Sequence, residues 1–218
     1  MTVPTGKPLN QVAPPVLPQP PRDAFSPLWQ DQFNNVLRLY FQQLSNVQNG
    51  LLSPVSGGAS LFYPHGTFRS ITTQTLSAIN TATPVQFEVT PAQGEVLNMS
   101  LNGGSNTELT VDYAGVYQIN VNLQVRSTTA SAKNVYVWLQ KNGVDVANSA
   151  RRVTLTINGG TPFFYGINIE LGAGDVLKVI WGADSTNATL NYVAASSPYP
   201  AIPSAILSVT HVSNVLLG

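Results

Sequence analysis

Not one cysteine stands among the 218 residues. Disulfide stapling, thiol chemistry and every metal site built on Cys ligands are therefore excluded. Charge is scarce: Asp, Glu, Lys and Arg make up 9% of the chain, against roughly 25% in an average domain. Ten basic and ten acidic residues cancel, so there is no basic footprint for a nucleic-acid partner. No run approaches the ~20 apolar residues of a membrane span, and no membrane partner is expected. The N-terminus shows no apolar segment behind positive charges, so no export signal is visible.

Histidine is almost missing too. A nucleophilic triad needs one, and the chain offers His65, in Pro64-His-Gly66, and His211, near its end. The first reads as a linker turn, the second as a solvent-facing or hydrogen-bonded sheet residue. No zinc-ligand spacing, phosphate loop or dinucleotide fingerprint occurs. Asp184-Ser-Thr-Asn187 has oxygens that can hold calcium, but Asx-rich turns have that composition by default. Glu108 and Asp112 are too scattered for an acid–base pair. No catalytic residue, cofactor or metal is expected, and the chain is not expected to be an enzyme.

What is present is alternation. Tyr117, Ile119, Val121, Leu123 and Val125 are separated by Gln118, Asn120, Asn122 and Gln124. That period of two predicts a strand with one face in a core and one face wet. Tyr113-Ala-Gly115 supplies the turn before it. Short β-type runs continue along the chain, with strands expected at 68–74, 84–90, 95–101, 107–112, 116–127, 134–141, 145–156, 162–171, 175–182, 187–194 and 204–213. Asn102-Gly-Gly104, Lys141-Asn-Gly143, Asn158-Gly-Gly160 and Gly172-Ala-Gly174 mark turns between them. Strands at this spacing with no helices between them predict an all-β, antiparallel jelly-roll sandwich over residues 67–218.

Upstream the pattern differs. Residues 1–25 carry Pro4, Pro8, Pro14, Pro15, Pro18, Pro20 and Pro21, which forbid a helix or central strand and predict an extended arm. Val3, Leu9, Val12, Val16, Leu17 and Phe25 give that arm apolar anchors to bury on another protein. Residues 26–50 predict a helix, with Ser26 as N-cap, Pro27 at the first position and Gly50 closing it. Phe33, Leu37, Tyr40, Leu44, Val47 and Leu51 fall 4-3-4-3-4 apart, the seam of a short trimeric coiled-coil stalk. Trp29, Val36 and Phe41 lie off that seam. Residues 51–66, with Pro54, Gly57, Gly58, Pro64 and Gly66, read as a linker.

Several segments in order carry a resemblance. The Ala114-Gly-Val-Tyr117 strand start, Val135-Tyr-Val-Trp-Leu-Gln-Lys-Asn-Gly143, Ile169-Glu-Leu-Gly-Ala-Gly-Asp-Val-Leu-Lys-Val179 and Ala205-Ile-Leu-Ser-Val-Thr-His211, with Phe87-Glu-Val89 and Leu101-Asn102 at the start of the domain, resemble the jelly-roll superfamily of tumour necrosis factor and the complement globular heads. The resemblance spans roughly residues 67–213, and it implies a homotrimer with aromatic side chains packed between copies. Tyr136, Trp138, Phe163, Phe164, Tyr165 and Trp181 are the expected interface, because strands 134–141 and 162–169 are apolar on both faces.

With a helix and an arm in front, the whole resembles trimeric phage virion proteins. That implies a non-enzymatic virion structural protein, made in the host cytoplasm and mounted on the capsid surface. It would decorate or cement the capsid or form a short head fibre, with residues 1–25 on the major capsid protein or another virion protein. The alternative is a receptor- or glycan-binding tail-fibre tip, with Tyr192, Tyr199 and Trp181 on a host-surface glycan. A secreted cytokine-like ligand is disfavoured by the missing export signal.

Overall fold

The computed structural model describes residues 15–18, 26–52, 64–88, 95–102, 106–129 and 133–213. The chain divides into two units, one holding the helix and one spanning Phe62–Val215. Val3, Leu9, Val12, Phe25 and the glycines at 103 and 104 lie outside the described residues.

Helix α1 runs Pro27–Leu52. Its start is capped as the sequence predicts: the Trp29 N–H donates to Ser26 Oγ at 3.4 Å and the Gln30 N–H to the Ser26 carbonyl at 3.2 Å. Gly50 does not end it; the helix continues to Leu52, because a glycine costs only about 1 kcal/mol in a helix interior. Trp29 and Phe33, one turn apart, stack with centroids 5.3 Å apart. The indole N–H of Trp29 also donates to the Pro18 carbonyl at 3.1 Å, tying the end of the Pro-rich segment to the first helical turn. Phe33, Leu37, Tyr40 and Val47 are partly exposed and Leu44 is exposed. Leu28, Leu39 and Phe41, off that seam, are exposed as well. Among the described residues there is a single helix, and the side chain of Leu51 lies outside them.

Two antiparallel sheets make the second unit. The first contains β1 (His65–Ser70), β2 (Gln74–Thr75), β4 (Val96–Leu97), β7 (Gly115–Ser127), β11 (Gly160–Leu171), β13 (Ala188–Leu190) and β14 (Ala205–Ser213). The second contains β3 (Thr83–Pro84), β5 (Met99–Leu101), β6 (Leu109–Val111), β8 (Lys133–Lys141), β9 (Val144–Asp145), β10 (Arg151–Leu155) and β12 (Val176–Ala183). The spatial orders β1-β14-β7-β11 and β6-β12-β8-β10 are those of a jelly roll, in which the chain repeatedly crosses between sheets and closes its first strand against its last. His65 and Gly66, expected as linker, belong to β1 and pair with Thr210 and Val209. The expected strand 145–156 is broken, because the buried Ser149 hydroxyl, not a backbone carbonyl, accepts the Leu139 N–H at 3.0 Å.

Alternation decides what is inside. Tyr117, Ile119, Val121, Leu123 and Val125 of β7 are all buried and face Val135, Val137 and Leu139 of β8 and Leu177, Val179 and Trp181 of β12 in one core. Each side chain of this size gains about 1.5–3 kcal/mol on burial. The launch of β7 is also fixed by polar contacts. The Tyr117 hydroxyl donates to the Tyr113 carbonyl at 2.7 Å. A Cβ on Gly115 would lie 2.4 Å from Nε2 of the buried His211, so only glycine fits beneath that ring.

Burial, with Asp112 adding, pushes the Tyr117 phenol up to about 12. A raised phenol pKa means that the neutral form is favoured in the fold. Its stabilisation is whole below the unfolded value near 10 and is lost as pH rises through about 12. Tyr117→Phe is expected to cost about 1–2 kcal/mol at neutral pH and to flatten the loss of stability above pH ~10. Urea titrations of both proteins across that range check this, and identical alkaline profiles contradict it.

Candidate interaction surfaces

Two of the segments that carry the resemblance, the Lys141-Asn-Gly143 hairpin and the Gly172-Ala-Gly-Asp175 turn, meet at one end of the second sheet. Asn142, at φ 50, and Gly143, at φ 80, close the hairpin between β8 and β9 in the left-handed conformations that such two-residue turns require. The Asn142 side chain then bridges to β12: its Nδ2 donates to Asp175 Oδ1 at 2.7 Å and its Oδ1 accepts from the Val176 N–H at 2.8 Å. Asp175 Oδ2 takes the Gly172 N–H at 2.6 Å and pairs with Lys141 Nζ at 2.8 Å.

Burial alone would raise the Asp175 carboxyl, but these hydrogen bonds and the Lys141 charge outweigh it and hold the pKa below the ordinary carboxylate value. Stability from a lowered carboxyl is present above the unfolded value and is lost as pH falls through the folded one. Asp175→Asn is expected to cost about 1–2 kcal/mol at neutral pH, and the gap to the parent protein should narrow below pH ~4. Thermal melts at pH 7 and pH 3 measure it; a gap independent of pH contradicts the assignment. This cluster joins two hairpins and presents no vacant chemistry.

The histidines form no catalytic constellation. His65 lies in β1, not in a turn. His211 is 3% exposed and meets Tyr117 edge-on, with centroids 5.3 Å apart, so it does not face solvent. Among the described residues no group of three His, Asp or Glu side chains is placed to hold a metal. Asp184, considered for calcium, accepts hydrogen bonds from the backbone and side-chain nitrogens of Asn134 at 3.0 and 2.8 Å.

The side chains expected at a single interface divide three ways. Phe163, Tyr165 and Trp181 are buried within one chain, so for these the expected outward role is corrected. Register explains it: Phe163 pairs with Leu123 and Tyr165 with Val121, while Trp181 pairs with Val137, all core positions. Tyr165 is capped at the rim by the Arg151 guanidinium, 5.2 Å above its ring. Tyr136 and Trp138 lie on the outer face of the second sheet. Phe164 stands on the outer face of the first, 71% exposed.

That outer face is where the wet side of β7 lies. Phe164 pairs with Asn122 and Gly166 with Asn120, and across β14 Ser208 pairs with Asn120 and Ile206 with Asn122. Asn120, Asn122, Phe164, Gly166 and Ser208 line an open groove of about 490 Å³. None of these side chains is charged. A Cβ at Gly166 would lie 2.9 Å from Oδ1 of Asn120, the end of a half-exposed side chain that can turn aside. Among the residues considered for a glycan, Tyr199 is 72% exposed, Tyr192 is half-buried and Trp181 is inaccessible. Val16 and Leu17 of the arm are exposed.

Together the described residues define the class: an antiparallel jelly-roll sandwich with one helix. No family model matches the chain, and no curated protein matches it. Among solved structures it is similar to Eiger TNF from S. frugiperda, at 14% identity and a TM-score of 0.46, over 71% of this chain and 95% of that one. It is likewise similar to murine APRIL at pH 5.0, at 11% identity and a TM-score of 0.46, over 69% of this chain and 99% of that one. At those values the functional argument rests on this chain's own residues.

Proposed function

We propose that this chain is a non-enzymatic structural protein of a bacteriophage particle, acting as a homotrimer that decorates or cements the capsid or forms a short head fibre. The observation that carries the proposal is apolar surface left in water by one chain: Leu44 on the α1 seam, with Phe33, Leu37, Tyr40 and Val47 of that seam only partly covered, and Phe164 on the first sheet. Two further copies would cover it. Phe33, Leu37, Tyr40, Leu44, Val47 and Leu51 would form a three-stranded seam. The uncharged face around Phe164, Asn120 and Asn122 would pack against its counterparts, consistent with the depletion of charge at interface cores. A helix of this length gains its stability mainly from packing, which favours a helix with partners.

Residues 1–25 would anchor the trimer to the major capsid protein or another virion protein on the capsid surface. Burying the arm across assembled subunits stabilises the shell by mass action and needs no chemistry. The hydrogen bond from Trp29 to Pro18 would carry the anchor's hold into the helix. Deleting residues 1–25 is expected to leave the oligomer mass unchanged for the remaining chain while abolishing particle binding. Quantitative mass spectrometry of purified particles reads this; wild-type occupancy by the truncated chain contradicts the anchor. A second reading, a receptor- or glycan-binding tail-fibre tip, draws support from the exposed ring of Tyr199. Cryo-EM of the particle separates head from tail.

A further inference from the structure

The outer face of the second sheet carries aromatic side chains that neither the core nor the proposed trimer uses. Tyr136 and Trp138 are two residues apart on β8 and so project from the same face, about 7 Å apart along the strand. Tyr136 is 38% exposed and Trp138 is partly exposed. Their surroundings are arranged around them. The Trp138 indole N–H donates to Asp145 Oδ1 at 2.9 Å, and the same oxygen accepts from Gln140 Nε2 at 3.0 Å. The ring is therefore pinned and its one polar atom satisfied. Opposite Tyr136 on β12 stands Gly182; a Cβ there would lie 3.0 Å from the Thr81 carbonyl and 3.8 Å from the Trp138 ring. Gly182 is itself buried beneath the Thr81 backbone and the Trp138 ring, so the Trp138 ring lies against β12 with one edge and leaves its other side to the surface. On the other side of Tyr136, Arg152 is its direct partner in β10 and is exposed.

We propose that Tyr136 and Trp138 form a stacking platform for a neutral saccharide, with Arg152, Asp145 and Gln140 as its hydrogen-bonding rim. Aromatic faces with a polar rim suit sugar rings, which offer an apolar C–H face and hydroxyls around the edge. Arg152 and Asp145 carry opposite charges at the two ends of the rim, so the patch is not one-signed and does not single out an ionic ligand. Size argues against a protein partner. An aromatic side chain presents roughly 150–250 Å² in all, and only part of each ring is open. That is far below the ~800 Å² per partner of a stable protein interface, but it matches one or two sugar rings. The site lies on the opposite sheet from Phe164, so it stays open in the trimer proposed above and does not depend on head or tail placement.

The test titrates the full chain with cellohexaose, maltohexaose, laminarihexaose and mannohexaose, with hexagalacturonic acid as the anionic comparison, following tryptophan fluorescence and calorimetric heat. At least one neutral hexasaccharide should bind, and Tyr136→Ala and Trp138→Ala should each weaken it at least tenfold. Sedimentation of the same samples should show the oligomer unchanged. If Trp138→Ala does not fold, Tyr136→Ala decides alone, since its ring is at the surface. Binding by no neutral oligosaccharide, binding of the acidic one only, or binding indifferent to Tyr136→Ala each overturns the platform. A trimer that fails to form leaves these readouts standing and refutes only the assembly.

Discussion

Trp181→Ala is expected to destabilise the protein by about 3–5 kcal/mol, the range for emptying a buried aromatic site, with the sedimenting mass unchanged. Trp181 is 0% exposed and is the largest fully buried side chain among the described residues. It sits between Val179 and Ala183 on the inward face of β12, paired with Val137. Its indole nitrogen has no hydrogen-bond partner among the described residues. The ring's contribution is therefore packing, and Trp181→Phe, which opens only part of the cavity, should cost clearly less than the alanine variant. Urea denaturation at one fixed protein concentration reads both. A variant that keeps its stability but loses its oligomer would place Trp181 between copies after all.

Phe164→Glu should do the converse. The side chain is 71% exposed in one chain, so the fold of a single copy should change by no more than about 0.5 kcal/mol. In the proposed trimer it would bring three carboxylates against an uncharged, desolvated face lined by Asn120 and Asn122. Burying unpaired like charges costs several kcal/mol, enough to dissociate a trimer at micromolar concentration. The sedimenting mass is expected to fall to one third with circular dichroism of the sandwich retained. An undiminished mass would move the interface away from the first sheet.

The contrast between Trp181 and Phe164 shows how far the sequence could be read. β7 was legible because its apolar residues keep strict period two with amides between them, and that pattern fits only a half-buried strand. The Lys141-Asn-Gly143 turn was legible because two consecutive left-handed residues leave few choices. Strands apolar on both faces gave no such phase: Phe163, Phe164 and Tyr165 are consecutive aromatics, and pairing with β7 decides which turn inward. A parity signal was nevertheless present. Phe163 and Tyr165 share their face with Ile167, Ile169 and Leu171, whereas Phe164 shares its face with Gly166, Asn168 and Glu170.

Local chemistry hid the other differences. Ser149 could not be foreseen as a ladder acceptor, since it needs the β8 backbone brought alongside. Nor could His211 be placed over Gly115, because β14 and β7 lie far apart in the chain. The helix start was readable from Ser26 and Pro27, while its end past Gly50 was not, because one glycine only weakens a helix. The face around Asn120 and Asn122 was legible as wet but not as a groove, which needs β11 and β14 on either side.

Equilibrium sedimentation of the purified full chain at micromolar concentration is the most direct measurement. Greasy side chains stranded on one copy should find shelter in two others, giving a species of three times the 23.3 kDa chain mass. A single 23.3 kDa species persisting as concentration is raised would contradict the account.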